Sequence, residues 1–568
     1  MTQKFRVLAS YADGSTRDVT DEALFNSSEE AVATVSPDGE AKPIGLGEAA
    51  VVVRYMGLVA SARVTTPYRT PTKWKPTVKT SSIDSLVGSK LADLGLPASP
   101  VCNDSDFLRR AYLDVIGILP TPQEARSFLL DSSADKRAKL IDALLQRPEY
   151  VDLWSMKWGD LLRSNRKTLS DKGMIAFNHW IREAVAENKP WDQFASEILL
   201  SQGNSSDSGP VNFFRTAGTA NELAETTSQV FLGVRIQCAK CHNHPYEKWT
   251  QNQYYQMSAF FARVKRKQGE TPSEQIVLAG HSGEVNHPKT SKVMAPCALD
   301  APPVPESEAN SDRRIALVSW MTSKENPFFG RILVNRVWRH FMGRGLVEPV
   351  DDMRATNPAS NEPLLSGLAK QFGENGFNLK WLIREITSSS VYQRSSTTSP
   401  GNEADTKFYS HAFFKRLGAE QLMDAIASVT GAPEKFAGYP SGTRATQLLD
   451  SATPSYFLDL FGKPARNVTC ECERTDDPSL GQVLHLMNNA GLNGRIASKT
   501  GRVATLMESK TPTDKLVEDL YLSAYSRMPN VSERKIAVDS IEASKDKQKG
   551  AEDLLWAMMN SKEFVFNH

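Results

Sequence analysis

The sequence predicts a multidomain chain, an N-terminal all-β sandwich followed by two mainly α-helical domains, and three observations predict it. Residues 5–65 alternate polar and apolar side chains in short runs separated by Asp13-Gly14 and Pro37-Asp38-Gly39, the pattern of half-buried strands joined by tight turns. From Ser82 onward the apolar residues recur at three- and four-residue intervals, the period of an α-helix. The chain is also 568 residues long, too long for one core and of a length for about three domains of about 100 to 200 residues each. These patterns divide the chain into a sandwich over 1–66, a linker over 67–81, a helical domain over 82–265, a loop-rich connection over 266–311 and a second helical domain over 312–568.

The strands are expected at Phe5–Tyr11, Ala31–Val35, Ala49–Tyr55 and Val59–Thr65. Between Thr66 and Thr80 the composition turns to Pro, Thr and Lys, with Pro67, Pro71 and Pro76, which stiffens the chain and withholds backbone donors. Helices follow over Ser82–Leu94 and from Phe107 to Ile116. The segment Leu119-Pro120-Thr121-Pro122-Gln123-Glu124 then ends one helix and opens the next, with Thr121 as its cap and Pro122 at the first helical position. Further helical patterns run from Asp135 to Leu200, carrying Trp154, Trp158, Trp180 and Trp191, whose recurrence fits core packing. Glu222–Leu232 and Tyr254–Val264 flank the cysteine-rich stretch, and Lys265–Asp312 reads as an exposed, strand-poor insert. The second domain carries helical patterns from Asp312 to Asn560, including one expected over Gly491–Thr505.

Lys and Arg number 67 against 66 Asp and Glu, for a net charge of +1, and no basic stripe occurs, so the chain carries no electrostatic signature of a nucleic-acid partner. No run of about 18 apolar residues predicts a transmembrane segment. The start Met1-Thr2-Gln3-Lys4-Phe5 lacks the apolar stretch of a secretory signal.

Chemistry concentrates at Cys238-Ala239-Lys240-Cys241-His242-Asn243-His244, which places two thiols and two imidazoles within seven residues of a chain holding six Cys and nine His. C-x-x-C-H is the attachment pattern of a c-type haem: two thiols add to the vinyl groups and the next histidine ligates the iron. Cys238, Cys241 and His242 are therefore the candidate cofactor residues. His244 and Met257 are candidate second axial ligands, and an open position would leave the iron to oxygen or peroxide chemistry. The extra imidazole equally suits a protein-ligated zinc or copper, with His242, His244, Met257, Cys470 and Cys472 as donors.

Cys470-Glu471-Cys472 is the second unusual segment. Two cysteines one residue apart rarely join to each other without strain, which predicts that each has another partner or stays reduced. One expectation is a shared site, with their sulfurs within roughly 10 Å of Cys238 or Cys241, scaled up from metal–sulfur bonds of about 2.3 Å. The other is disulfide pairing with Cys102 and Cys297. A third polar cluster includes Arg336, His340, Asp351 and Asp352. Arg336 and His340 share a helix face and are candidates to meet an anionic group, while Asp351 and Asp352 serve either a catalytic role or an ion-pair network between domains.

Two resemblances add to these observations. Tyr11–Thr20, Ala31, Thr34, Val35 and Gly45-Leu46-Gly47-Glu48-Ala49 resemble the bacterial immunoglobulin-like group 2 family, which makes the sandwich immunoglobulin-like and implies an adhesive or spacer role toward a glycan or cell-surface ligand. Phe107-Leu108-Arg109-Arg110-Ala111-Tyr112-Leu113-Asp114, Cys238–Trp249 with Tyr254-Tyr255, Asn326–Asp352 and Cys470–Arg474 resemble the paired domains of unknown function that accompany cytochrome c modules in planctomycete extracytoplasmic proteins. That resemblance implies a periplasmic or extracellular location. The resulting expectation is a c-type haem protein, working in electron transfer with a redox partner or in oxidation of a glycan-like substrate. The alternatives are a zinc- or copper-holding scaffold and a metal-dependent glycan-active enzyme.

Overall fold

The computed structural model describes residues 2–75, 80–244, 247–305, 308, 311–475 and 477–568. Residues 76–79 of the expected linker, and Pro245-Tyr246 beside the cysteine motif, lie outside the described residues. The chain forms two compact units, each assembled from separated segments: Met1–Ser99, Pro190–Leu382 and Thr397–His411 in the first, and Pro100–Lys189, Ile383–Ser396 and Ala412–His568 in the second.

In the first unit the N-terminal strands form an immunoglobulin-like sandwich. Gly47–Tyr55 and Leu58–Thr66 make a long antiparallel hairpin turning at Met56-Gly57, and Leu24–Ser27 pairs along the other side of Gly47–Tyr55. A second sheet joins Gln3–Lys4, Glu40–Pro43 and Ala33–Val35, and Leu8–Ser10 pairs with Thr16–Asp18. Alternation along these strands turns Ala41, Val51, Val53, Phe25, Val35 and Val64 inward to one small core drawn from both larger sheets.

Few apolar groups fill that core, and polar bonds tie the sandwich to the helices of its unit. The carboxylate of Glu48, 7 % exposed, meets both Lys90 and Arg63. Arg63 also donates to the carbonyls of Ala359 and Ser360, and Ser61 donates to that of Ala355 at 3.0 Å. Described linker residues run back along the first helix, Ser82–Leu94: the amides of Tyr68 and Thr72 donate to the carbonyls of Leu94 and Ala92 at 2.8 and 2.9 Å. Tyr68 and Thr72 are thus tied through their amides to acceptors at the helix end, although residues 69–72 stay exposed.

The remainder of this unit is mainly helical, around an aromatic cluster in which Trp191 lies 5.0 Å from Phe194, 5.6 Å from Phe231 and 6.2 Å from Phe329. The insert after the cysteine stretch departs from its strand-poor expectation. Val264–Gln268 pairs with Gln275–Ala279, and Gly203–Asn204 adds to the edge. Lys265, Arg266 and Lys267 obscure the apolar signal of the first strand, and Val277 supplies the buried anchor of the second.

The second unit packs helices around a core including Leu113, Leu422, Ile426, Leu520 and Leu555. Thr121 caps its helix as the sequence predicts, and Glu124 returns the bond to make the cap reciprocal. Two helices, Ala490–Ile496 and Arg502–Glu508, replace the single one expected over 491–505. Gly501 stands at the break, where a Cβ would come within 2.9 Å of the Thr430 carbonyl oxygen.

Arginines organise this unit. Arg109 is buried and donates to the carbonyls of Ala524 and Phe564, both at 2.8 Å. Arg110 donates to those of Tyr392, Arg394 and His568. Asp160 is gripped by Arg466 and Arg474, and Arg474 reaches Glu420 as well. Burial alone would push the Asp160 carboxyl up, but the two guanidiniums outweigh it and hold the group below the usual carboxylate range.

Arg110→Ala leaves several buried carbonyls without donors and should cost about 3 kcal/mol, read as a lower urea midpoint at unchanged slope. Because the folded-state pKa of Asp160 is depressed, its stabilisation is present above the ordinary carboxylate value and fades as pH falls below about 4. Asp160→Asn should therefore flatten the acid limb of the stability profile.

Candidate functional site

The site begins at Gly233, which ends the turn Ser228–Leu232 in the left-handed region at φ +67°. A Cβ there would meet Ile332 Cδ1 at 2.7 Å and Met353 Cγ at 2.9 Å, so only glycine lets the chain turn this close to the neighbouring elements. The Gly233 carbonyl accepts the Met353 amide at 2.8 Å. Val234, Ile236 and Ala239 then bury their side chains, which leaves their neighbours facing solvent: Cys238, Cys241 and His242 are all exposed, and both cysteines are free thiols.

The helix Gln251–Ala259 holds this turn from behind. Gln251 Nε2 and the Tyr255 hydroxyl donate to the Lys240 carbonyl at 2.9 and 3.1 Å, and the Gln251 amide donates to the Asn243 side chain at 3.0 Å. Thr250 and Gln253 cap the helix reciprocally, and the His244 amide donates to the Trp249 carbonyl at 2.8 Å, closing the loop. Cys241 lies near enough to Tyr254 and Tyr255 to add to the upward shift of their hydroxyls, behind burial and, for Tyr254, the hydrogen bond to Glu225.

One contact orients the ring of His242. Its Nδ1 lies 2.7 Å from the Asn243 carbonyl oxygen, which only accepts, so Nδ1 carries a proton and, in the neutral ring, Nε2 is the free donor of a lone pair. His244 is half-buried, and burial, with Arg354 and His242 nearby, holds its imidazole below the ordinary range against the pull of Asp352.

The same loop walls a cleft of about 740 Å³ through Glu247, Lys248 and Trp249. Opposite walls come from Phe328, Arg331, Arg354 and Glu362. The buried Glu247 carboxylate accepts from the amide and hydroxyl of Thr356, at 3.3 and 3.4 Å. Lys248 pairs with Asp300 and lies 4.9 Å over the Trp249 ring, which approaches Phe328 at 6.3 Å. No motif marks these cleft residues in the sequence, although Glu247-Lys248-Trp249 sits inside the family-like stretch. Their partners come from segments 50 to 110 positions away.

Arg336, His340, Asp351 and Asp352 belong to the same unit. Asp351 is held by Arg235 and by Gln229 Nε2 at 2.6 Å, and Asp352 by Arg354. Arg336 is buried and donates to the Gln229 carbonyl at 3.0 Å, and His340 lies half-buried with its ring 4.9 Å from that of Phe341. The pair Arg235–Asp351 thus ties the cysteine stretch to the segment after Met342. Met257, the candidate axial ligand, is fully buried in its helix. Among the described residues no three His, Cys, Asp or Glu side chains converge as a metal-holding group.

Cys470 and Cys472 belong to the second unit and are joined to each other as a disulfide, with Cα atoms 5.0 Å apart. This corrects the expectation that each has another partner or stays reduced: the short turn Glu471–Glu473 brings the two side chains together. Cys102 and Cys297 are free thiols, so the alternative pairing with them is corrected too. In the disulfide neither sulfur of Cys470 and Cys472 is a metal-ligating thiolate.

Fold and site together define a protein with a strand-rich front and a mainly helical body that displays a thiol and imidazole cluster beside a cleft. Residues 82–266 match the PSCyt2 family model, a protein of unknown function (DUF1549), and residues 313–541 match PSD1, a protein of unknown function (DUF1553). Between them they span most of the chain, and the chain belongs to the family that pairs these two domains. No curated protein and no solved structure matches it.

In the cofactor-free protein, maleimide should label Cys238 and Cys241 within the native state, whereas Cys102, buried and with its thiol pushed up by that burial, should label only on unfolding. Gly233→Ala should destabilise the protein by about 2 kcal/mol and change the labelling rate of Cys238, because strain and overlap fall on the turn that presents it.

Proposed function

We propose that the protein is a c-type haem protein working outside the cytoplasm, in electron transfer or in oxidation of a glycan-like substrate. The observation that carries this is the state of the motif: two free, exposed thiols one turn apart, followed by an exposed imidazole whose Nδ1 proton is committed to a backbone carbonyl. A ligating histidine characteristically uses its second ring nitrogen in this way, which orients the ring and leaves Nε2 as the donor. Cys238 and Cys241 would hold the porphyrin through thioether bonds and His242 would be its axial ligand. When bound, the haem would supply one-electron chemistry.

The chain's own residues do the rest. Lys240, held through its carbonyl by Gln251 and Tyr255, keeps the attachment turn rigid, which limits reorganisation around a redox centre. The cleft beside it offers aromatic surface at Trp249 and Phe328 and charged groups on its rim, a lining suited to a polar substrate with apolar faces. The Cys470–Cys472 disulfide supports an oxidising compartment. No helix among the described residues is long and apolar enough to cross a membrane. The immunoglobulin-like front would serve as an adhesive or spacer module toward a glycan or cell-surface ligand.

Protein matured in a periplasm with c-type haem maturation should show a Soret band and a pyridine haemochrome that survives denaturation. Cys241→Ala should weaken the attachment, and Cys238→Ala/Cys241→Ala should abolish it. A colourless protein carrying stoichiometric zinc or copper from the same host would overturn the haem assignment in favour of a protein-ligated metal.

A further inference from the structure

We propose that the Cys470–Cys472 disulfide is an exchangeable redox site, separate from the Cys238–Cys241 pair, that accepts two electrons from a dithiol. Three observations lead there.

The bond does little structural work. The stabilisation a cross-link brings grows with the length of chain it encloses, and this one encloses Glu471 alone. Its segment is held by other means: Arg466 and Arg474 anchor on Asp160, Arg474 also on Glu420, and the Asn467 amide donates to the Glu473 carboxylate at 2.9 Å. Opening the sulfur bond leaves all of these in place.

The bond is also accessible. Cys472 is exposed and its partner half-buried, on a surface turn in which every residue from Cys470 to Arg474 retains contact with solvent.

The two sulfurs differ in a way that directs exchange. The Cys472 amide donates to Cys470 Sγ at 3.1 Å, a bond that strengthens when Cys470 carries negative charge. An incoming thiolate therefore attacks the exposed Cys472 sulfur and forms a mixed disulfide there, while the bonding pair leaves on Cys470, which is then protonated. The second thiol of the donor attacks its own sulfur in the mixed disulfide and releases Cys472. The donor ends as a disulfide and the protein as a dithiol, two electrons and two protons having moved.

The test exposes native full-length protein to dithiothreitol, quenches with N-ethylmaleimide and maps the label by peptide. The expected result is two new labels on the peptide holding Cys470 and Cys472, with circular dichroism unchanged and Cys102 still protected. Excess glutathione, quenched in acid and mapped by peptide, should leave its mixed disulfide mainly on Cys472, by at least about tenfold over Cys470, since exposure and the leaving-group preference both favour attack there. Reduction that occurs only in denaturant would overturn the proposal, as would label on both cysteines before reduction or glutathione divided equally between the two sulfurs. Both arms use the unmutated protein, so neither depends on a variant that folds.

Discussion

A guanidinium removed from water must find acceptors that replace its hydration, and this chain answers that demand with backbone carbonyls and carboxylates far away in sequence. Arg109 and Arg110, adjacent on one helix, reach carbonyls of Tyr392, Arg394, Ala524, Phe564 and His568, which gathers the separated segments of the second unit around Asp104–Val115. In the first unit Arg235 on Asp351 and Arg336 on the Gln229 carbonyl do the same for the cysteine stretch. Apolar packing supplies most of the driving force for burial, but it is indifferent to partner. The directional bonds of the arginines select which segments meet.

That framework explains how exposed chemistry can sit on a fixed support. Cys238, Cys241 and His242 project to solvent, whereas Val234, Ile236 and Ala239 between and before them are buried, and Lys240 is gripped through its carbonyl. The backbone of the motif is thus ordered by its neighbours while its side chains stay available. The segment around Cys470 and Cys472 follows the same plan in the other unit, with Arg466 and Arg474 anchored inward and the sulfurs outward.

Local patterns in the sequence were legible where local physics decides. Thr121-Pro122-Gln123-Glu124 caps its helix as its residue types require, and the Asp-Gly turns and alternating strands of the front fold as a sandwich. Patterns failed where a distant contact overrode them. Lys265-Arg266-Lys267 reads as a polar connection until Gln275–Ala279 pairs with it, and the expected single helix gives way to two, the second opening at Gly501, where the Thr430 carbonyl approaches closely. Tyr68 and Thr72 look like linker and are bonded to a helix end.

The sequence by itself determined the order of strand-rich and helical segments, the family pairing, and the residues able to carry chemistry at Cys238–His244, because periodicity, capping and ligand spacing are properties of short stretches. Only the tertiary structure decided which of those groups face solvent, that Glu247 and Trp249 wall a cleft beside the motif, and that Cys470 and Cys472 join each other. It also decided that each compact unit is built from discontinuous segments. The cleft and the discontinuous units depend on which acceptor meets which donor across long stretches of intervening chain, and the Cys470–Cys472 bond on the conformation of one short turn, and the residue pattern encodes neither choice.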